Sequence, residues 1–366
     1  MDNKHLGNYK HSDYREEIIK FADKSYKEGN LLPKRYVFVL TNLCNLACNY
    51  CFQVRKKLPG AMTTQDWINV VDQLPDYARV AFTGGEPLSF KGFREVFHKV
   101  ASKFECNMIC NGLLLKEDTI DFLLSYEKFK VLGVSIDSVK NIVRKIANKN
   151  PSTWNDEWNR TEKMFKYFNK KKKEINSNCT LDAKTVILDE YAHELFDIHR
   201  YCIEDLGFET HVFTFQKGSP LQMADFMFKF DKIYEKNTAY IYKNFGIIKE
   251  QLNLIKEYNI KNNIRSYLNP KGANLNDGDL IKNEIDLFNN VNFNKLDFKS
   301  CKSPWTSLHI NANGKIFPCL AIDMGNIKEK SLKELFFGEK YNKFKDTIRN
   351  NGLVDACNRC EYLVKK

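Results

Sequence analysis

Six apolar segments, 36–40, 79–82, 106–110, 130–136, 179–188 and 209–215, alternate with stretches whose apolar residues recur at helical spacing. Trp67, Val71 and Leu74 mark the first helical stretch, with Thr63 or Thr64 placed to cap it, and 93–104, 116–124, 157–172 and 192–206 supply the others. Parallel strands cannot be joined by a tight turn, so strands separated by helices call for a parallel sheet with right-handed crossovers. The fold class is therefore α/β, as a doubly wound sheet or a barrel. The first strand is not followed by a glycine-rich phosphate turn, which argues against a dinucleotide-binding sheet.

That first strand runs straight into TNLCNLACNYCFQ, residues 41–53, where Cys44, Cys48 and Cys51 stand in a C-x-x-x-C-x-x-C arrangement. Three thiols are one short of the four that close a structural zinc site or an ordinary electron-transfer cluster. On a four-iron, four-sulfur cluster, three thiolates leave one iron open to another ligand. Core cysteines, or part of a zinc knuckle, are the plainer readings of the trio. Gly84, Gly85, Glu86 and Pro87 end the second strand, where glycines permit close backbone approach, as in any strand-to-helix turn.

The cysteine spacing, with Tyr50 directly before Cys51, closely resembles the signature of the radical S-adenosylmethionine (SAM) superfamily, and the GGEP run resembles its second motif. The resemblance implies a partial barrel of six βα units with its chemistry at the C-terminal strand ends. It implies that the open iron takes the methionine amino and carboxylate groups of SAM. Gly84, Gly85 and Glu86 are then expected to bind the methionine ammonium, through carbonyls and a charge-assisted bond to Glu86. Tyr50 is expected beside the adenine, and Asn111 (with Gly112), Ser135 and Asp137 at the carboxylate, ribose or adenine. Asp182 and Lys184 share a strand face and are the candidates for catalytic residues, provided that they are buried with partners.

Cys301, Cys319, Cys357 and Cys360 form a second set. Asn313 and Gly314 signal a hairpin between 308–311 and 315–320, with Cys319 on its returning strand; short helices at 331–337 and 341–349 lead to the C-x-x-C. Four thiols close either a cluster or a zinc tetrahedron. The pattern closely resembles the twitch domain, a shortened relative of the SPASM domain, which implies one auxiliary iron-sulfur cluster. A full SPASM domain continues with further cysteines; 361–366 contain none, so a second auxiliary cluster is not expected. Two 4Fe-4S clusters, one SAM-binding and one auxiliary, are thus the expected cofactors beside SAM. Cys106, Cys110, Cys179 and Cys202 read as small buried hydrophobes, one of them a hydrogen donor if the reaction needs one.

The 366 residues divide into an N-terminal extension (1–34), the core (35–216), a mainly helical insert or linker (217–298) and the auxiliary domain (299–366). Gly218, Ser219 and Pro220 open the insert; 221–258 reads as helical, with apolar Met227, Phe230 and Ile233, and 269–278 as a loop. The formal charge is +11, yet lysines are interleaved with acids and the only dense basic run is Lys170–Lys173, a solvated face rather than a nucleic-acid groove. A basic surface suits brief encounters with an acidic, flavodoxin- or ferredoxin-like reductant. No apolar run approaches the roughly eighteen residues of a membrane span, the start is polar, and eleven cysteines in such a chain point to metal ligation or reduced thiols: the reading is cytoplasmic.

The expected activity is reductive cleavage of SAM to a 5′-deoxyadenosyl radical that abstracts a substrate hydrogen. The first choice is two-electron oxidation of a small, sugar-like metabolite, as in the twitch-domain dehydrogenase of an aminoglycoside precursor, with the auxiliary cluster as electron acceptor. A peptide-modifying maturase is placed second, because no peptide-recognition domain is evident at either end. A zinc-stabilised nucleic-acid-binding protein is the alternative from another class.

Overall fold

The computed structural model describes residues 11–51, 53, 58–139, 151–216, 219–222, 227–234, 241–269, 273–276, 285–289, 293–360 and 362–366. The order begins α1 (His11–Glu28), β1 (Arg35–Val39), α2 (Thr64–Val71), β2 (Arg79–Thr83), α3 (Phe93–Ala101), β3 (Glu105–Cys110), α4 (Glu117–Leu124), β4 (Phe129–Ser135), α5 (Pro151–Glu174) and β5 (Thr180–Ile187). It continues through α6 (Leu195–Arg200), β6 (Thr210–Phe215), α7 (Phe245–Asn262), β7 (Arg265–Asn269), β8 (Ala273–Asn274), β9 (Ser307–Ile310), β10 (Ile316–Phe317), α8 (Leu332–Phe336) and α9 (Glu339–Asn351). One ten-stranded sheet runs β10-β9-β1-β2-β3-β4-β5-β6-β7-β8. From β9 through β1 to β7 every pairing is parallel, and only the two edge hairpins are antiparallel. The edges do not meet, so the architecture is an open, partial α/β barrel.

Alternation along the strands sorts side chains between two faces. Tyr36, Phe38, Val80, Phe82, Met108, Leu132, Leu181 and Phe213 join one continuous apolar core with the covering helices. Phe38 meets Trp67 of α2 at 4.9 Å between ring centroids, and Phe97 of α3 meets Phe82 and Phe129 at 5.4 and 5.3 Å. Burying each such side chain is worth roughly 1.5–3 kcal/mol, which is why the helices sit where their apolar faces predict. The intervening positions, among them Asn107, Gly133, Asp182, Lys184 and Thr210, fall on the other face.

Among the described residues of 221–258 the expected single helix is not formed. Tight turns occupy Pro220–Gln222 and Phe230–Tyr234, and the α-helix starts only at Phe245. Between the turns Phe228 lies extended, its amide bonded to the Ala321 carbonyl at 2.8 Å, and Phe230 packs against Phe344 at 6.5 Å. The helically spaced apolar residues are thus spent on docking to the C-terminal region. Gly218, 223–226, 235–240, and 270–272 and 277–278 of the expected loop lie outside the described residues.

The alternation continues past Phe215: α7 ends on left-handed Asn263, and β7 adds a seventh parallel strand beside β6. The helix read at 192–206 is in fact a tight turn, α6 and a wider final turn, Tyr201–Asp205. The Asn313-Gly314 hairpin is present as β9 and β10, and β9 docks in parallel on β1. Its return strand ends at Phe317, so Cys319 lies just beyond it and not on it.

Candidate active site at the C-terminal strand ends

The loop after β1 is clamped to the loop after β2 by backbone bonds: Gly85 N–H donates to the Thr41 carbonyl at 2.6 Å and Glu86 N–H to the Leu43 carbonyl at 2.9 Å. A Cβ on Gly84 or Gly85 would stand closer to the Thr41 or Leu43 carbonyl oxygen than real Cβ atoms come, and Gly84 has φ +149°. The glycines therefore serve the approach of one loop to the other. Cys44, Cys48 and Cys51 are partly exposed on the clamped loop. Leu46 N–H donates to Cys44 Sγ and Gln53 N–H to Cys51 Sγ, both at 3.4 Å. Burial pushes the Cys44 thiol up and, helped by the Asp137 charge, Cys48 up to about 12, so thiolate formation there needs a cation.

Glu86 is fully buried; its oxygens accept from Leu88 N–H at 3.1 Å and Asn111 N–H at 2.8 Å. Burial raises its carboxyl to about 7, against those two amides. A carboxylate has about four acceptor positions, so it retains room for a further donor. Asn111 Nδ2 donates to Asn45 Oδ1 at 2.7 Å and lies 3.7 Å from Cys44 Sγ. The Tyr50 hydroxyl donates to Asp137, whose other oxygen accepts from Val186 N–H at 2.6 Å; burial raises Asp137 to about 6. Ser135 is exposed at the end of β4, in register with Lys184.

Of the residues expected near SAM, Tyr50, Gly84, Gly85, Glu86, Asn111 and Asp137 thus gather on or around the cysteine loop, and Ser135 is placed only beside Lys184. Sequence reasoning missed Asn45, a polar loop residue with no spacing signal to distinguish it. Asp182 and Lys184 form an ion pair, and Thr210 Oγ1 donates to the buried Asp182 at 2.7 Å. Gly133 faces this pair, where a Cβ would lie 3.1 Å from Lys184 Cε.

In the second set, Cys357 is buried and Cys301, Cys319 and Cys360 are partly exposed. Burial raises Cys301 to about 11, and raises Cys319 and Cys357 well above the ordinary thiol value; Cys360 and Cys301 add to both. Those influences bring Cys301, Cys319, Cys357 and Cys360 into one region. Gln222 Nε2 donates to the Ala356 and Asn358 carbonyls, each at 2.9 Å. Arg359 lies over the Tyr242 ring at 5.1 Å, and the Tyr242 hydroxyl donates to the Ile187 carbonyl at 2.8 Å, which holds the C-x-x-C loop against the C-terminal end of β5. Among the described residues no three Cys, His, Asp or Glu converge as ligands of a single metal ion. In a cluster each thiolate takes its own iron, so the thiol-only donor sets, three and four, fit iron-sulfur clusters.

Residues 38–181 match the radical SAM superfamily, and residues 301–361 match the SPASM iron-sulfur cluster-binding domain. The chain combines a radical SAM domain with a C-terminal SPASM domain. A SAM-binding 4Fe-4S cluster and auxiliary iron-sulfur chemistry come with those domains. The chain is 33% identical over 114 residues to the sporulation killing factor maturation protein SkfB of Bacillus subtilis, a match covering 30% of this chain and only 28% of SkfB. It is 24% identical over 349 residues to a cysteine-type anaerobic sulfatase-maturating enzyme of Clostridium perfringens, covering 87% of this chain and 83% of that one. Streptococcus suis SuiB, solved bound to the precursor peptide SuiA, shares the fold at a TM-score of 0.59 and 17% identity, over 99% of this chain and 79% of that chain.

The preference for a small-molecule partner over a peptide is overturned by these relatives, among them a killing-factor maturation protein and a structure holding a precursor peptide. That preference rested on the two-electron oxidation that a four-cysteine auxiliary cluster suits and on the lack of a separate recognition domain, but a cleft or a sheet edge can hold an extended peptide. No helix among the described residues is long and apolar enough to cross a membrane.

Proposed function

We propose that the chain is a peptide-modifying radical SAM enzyme. Cys44, Cys48 and Cys51 hold the SAM-binding cluster, and Cys301, Cys319, Cys357 and Cys360 hold the auxiliary one. The observation that carries the SAM site is the clamp of Gly85 and Glu86 on the cysteine loop, with Asn111 and the Asp137–Tyr50 pair gathered around it. The peptide class rests on the maturation proteins among the relatives. When bound, SAM and its cluster supply a 5′-deoxyadenosyl radical able to take hydrogen from an unactivated carbon.

The chain's own part is binding and orientation. Glu86, already fixed by two amides, offers its remaining acceptor positions to the methionine ammonium, and Gly84 and Gly85 offer carbonyls. Tyr50, held by Asp137, flanks the adenine; Asn111 and Ser135 serve the polar groups of SAM. Asp182 and Lys184 lie on the barrel's inner face as substrate-binding groups, the lysine steered by its carboxylate. Four thiols leave the auxiliary site no open iron, which suits electron transfer and a net two-electron oxidation.

Anaerobically reconstituted protein is expected to bind about eight irons, one four-iron cluster per cysteine set. Cys44→Ala should abolish reductive SAM cleavage, whereas Cys357→Ala should spare cleavage and abolish product formation. Bound zinc without iron sinks the reading. Deuterium from a labelled peptide mixture should appear in 5′-deoxyadenosine; transfer only from labelled small metabolites refutes the peptide class.

A further inference from the structure

Two histidines are buried between the sheet and its covering helices, and neither belongs to a cysteine site. They form part of a line of polar groups. The Asn259 amide of α7 meets His199 Nε2 at 2.8 Å, His199 Nδ1 meets His211 Nδ1 at 3.1 Å, and His211 Nε2 meets Thr185 Oγ1 at 2.7 Å. The Thr185 hydroxyl donates to the Ile136 carbonyl. Asn259, His199, His211 and Thr185 are at most 1% exposed, so their partners have to come from the protein.

Counting protons fixes the direction of the line. Thr185 has one hydroxyl proton and gives it to the Ile136 oxygen, so His211 Nε2 has to donate to Thr185. Burial lowers His199 to about 4 and His211 well below its ordinary value, so each ring is neutral and carries one proton. His211 Nδ1 is then an acceptor, His199 Nδ1 its donor, and His199 Nε2 an acceptor in turn. Only a donor satisfies that last nitrogen, so Asn259 turns Nδ2 towards it. The two ends of an amide are nearly indistinguishable by shape. The turn also gives a partner to Asn259 Nδ2, which otherwise has none, and leaves the less demanding carbonyl oxygen in its place.

We propose that Asn259, His199, His211 and Thr185 form a one-way relay of neutral hydrogen bonds that positions the Ile136–Asp137 peptide at the end of β4. They are positioning residues, and the relay ties the α7 segment to the SAM side of the barrel. Thr185 holds the Ile136 carbonyl while its neighbour Val186 donates to Asp137, whose other oxygen takes the Tyr50 hydroxyl. One strand therefore grips the turn at two points. The consequence for SAM rests on the reading of Asp137 and Tyr50 given under Proposed function.

Side-chain nitrogen NMR of the reconstituted protein tests the relay without reference to activity. His199 is expected to be protonated at Nδ1 and His211 at Nε2, both neutral at pH 7; an Nδ1 proton on His211, or an imidazolium on either, overturns the assignment. Equilibrium dialysis with SAM tests the positioning. Thr185→Val should weaken binding about fivefold, the size of one neutral hydrogen bond, and Thr185→Ser should restore it. Asn259→Leu, which keeps volume and removes the amide, should weaken binding in the same direction and serves if the valine variant does not fold. Unchanged affinity in these variants, while Asp137→Asn weakens binding, overturns the positioning. If Asp137→Asn and Tyr50→Phe also leave affinity unchanged, the SAM-site reading falls and takes the positioning role with it.

Discussion

The two cysteine regions are built in opposite ways. Cys44, Cys48 and Cys51 come from one short stretch and stand partly exposed on a loop fastened by backbone bonds to Gly85 and Glu86. Cys301, Cys319, Cys357 and Cys360 come from segments spread over 301–360 and are placed by packing: Cys357 belongs to the apolar core that also holds the fully buried Trp305, Phe336 and Tyr341, and the other three pack against that core. A clamped loop fails when an atom intrudes on the clamp. A packed site fails when volume is removed.

The largest expected effect is on the clamp. Gly85→Ala puts a methyl group into the Leu43 carbonyl, so the cysteine loop has to move. Displacements of about 1 Å near a reacting centre cost on the order of a hundredfold in rate. SAM cleavage should fall by at least that factor while the auxiliary iron, about four atoms per chain, is retained. Loss of iron from both regions would mean that they are not independently built.

The converse substitution is Trp305→Ala. The Trp305 ring lies 4.7 Å from Tyr26 and 5.3 Å from the Arg349 guanidinium, and its carbonyl accepts from the Ser25 hydroxyl at 3.1 Å. Removing a buried tryptophan costs about 3–5 kcal/mol, measurable by denaturant unfolding. Auxiliary iron should be lost preferentially and the SAM-binding cluster kept; an unchanged iron content contradicts the packed-site picture.

The same contrast explains what the sequence disclosed. Cys44, Cys48, Cys51 and the GGEP run are local patterns, legible because a few neighbouring residues fix the geometry. The six strands were legible because Tyr36, Phe38, Val80 and Phe82 alternate against helices with their own apolar spacing. The docking of β9 on β1 was not, since pairing between Ser307 and Arg35 depends on two segments far apart in the chain. Nor was the course of 221–258, where Met227, Phe230 and Ile233 have helical spacing but serve contacts to the C-terminal region. The relay was invisible for the same reason: Thr185, His199, His211 and Asn259 meet only once β5, α6, β6 and α7 are assembled.

That relay also predicts an acid limit. The His199 pKa is lowered by burial to about 4, against an unfolded value of about 6.5, so between those pH values the unfolded chain binds more protons and stability falls as pH falls. Glu204 and Tyr258 border His199, and Lys184 acts on His211 in the same destabilising sense for its charged form. The loss from pH 6.5 to 4 should be about 3 kcal/mol in denaturant unfolding. His199→Gln should flatten that dependence; an equally steep curve would assign acid lability to other groups.

The smallest effects come from a matched pair of helix caps, one in the radical SAM domain and one in the SPASM domain. Thr63 at the start of α2 and Ser331 at the start of α8 each form a reciprocal cap. Thr63 N–H donates to Asp66 at 2.8 Å and receives Asp66 N–H at 3.2 Å; Ser331 N–H donates to Glu334 at 2.8 Å and receives Glu334 N–H at 3.3 Å. Both caps are exposed, so the same chemistry should carry the same value wherever it sits. Thr63→Ala and Ser331→Ala should each cost about 1 kcal/mol in denaturant unfolding and leave the iron content unchanged. A cost well above that at only one of them, or loss of iron from either, would show that a cap takes part in holding its cysteines, and the division between a clamped loop and a packed site would have to be redrawn around that helix.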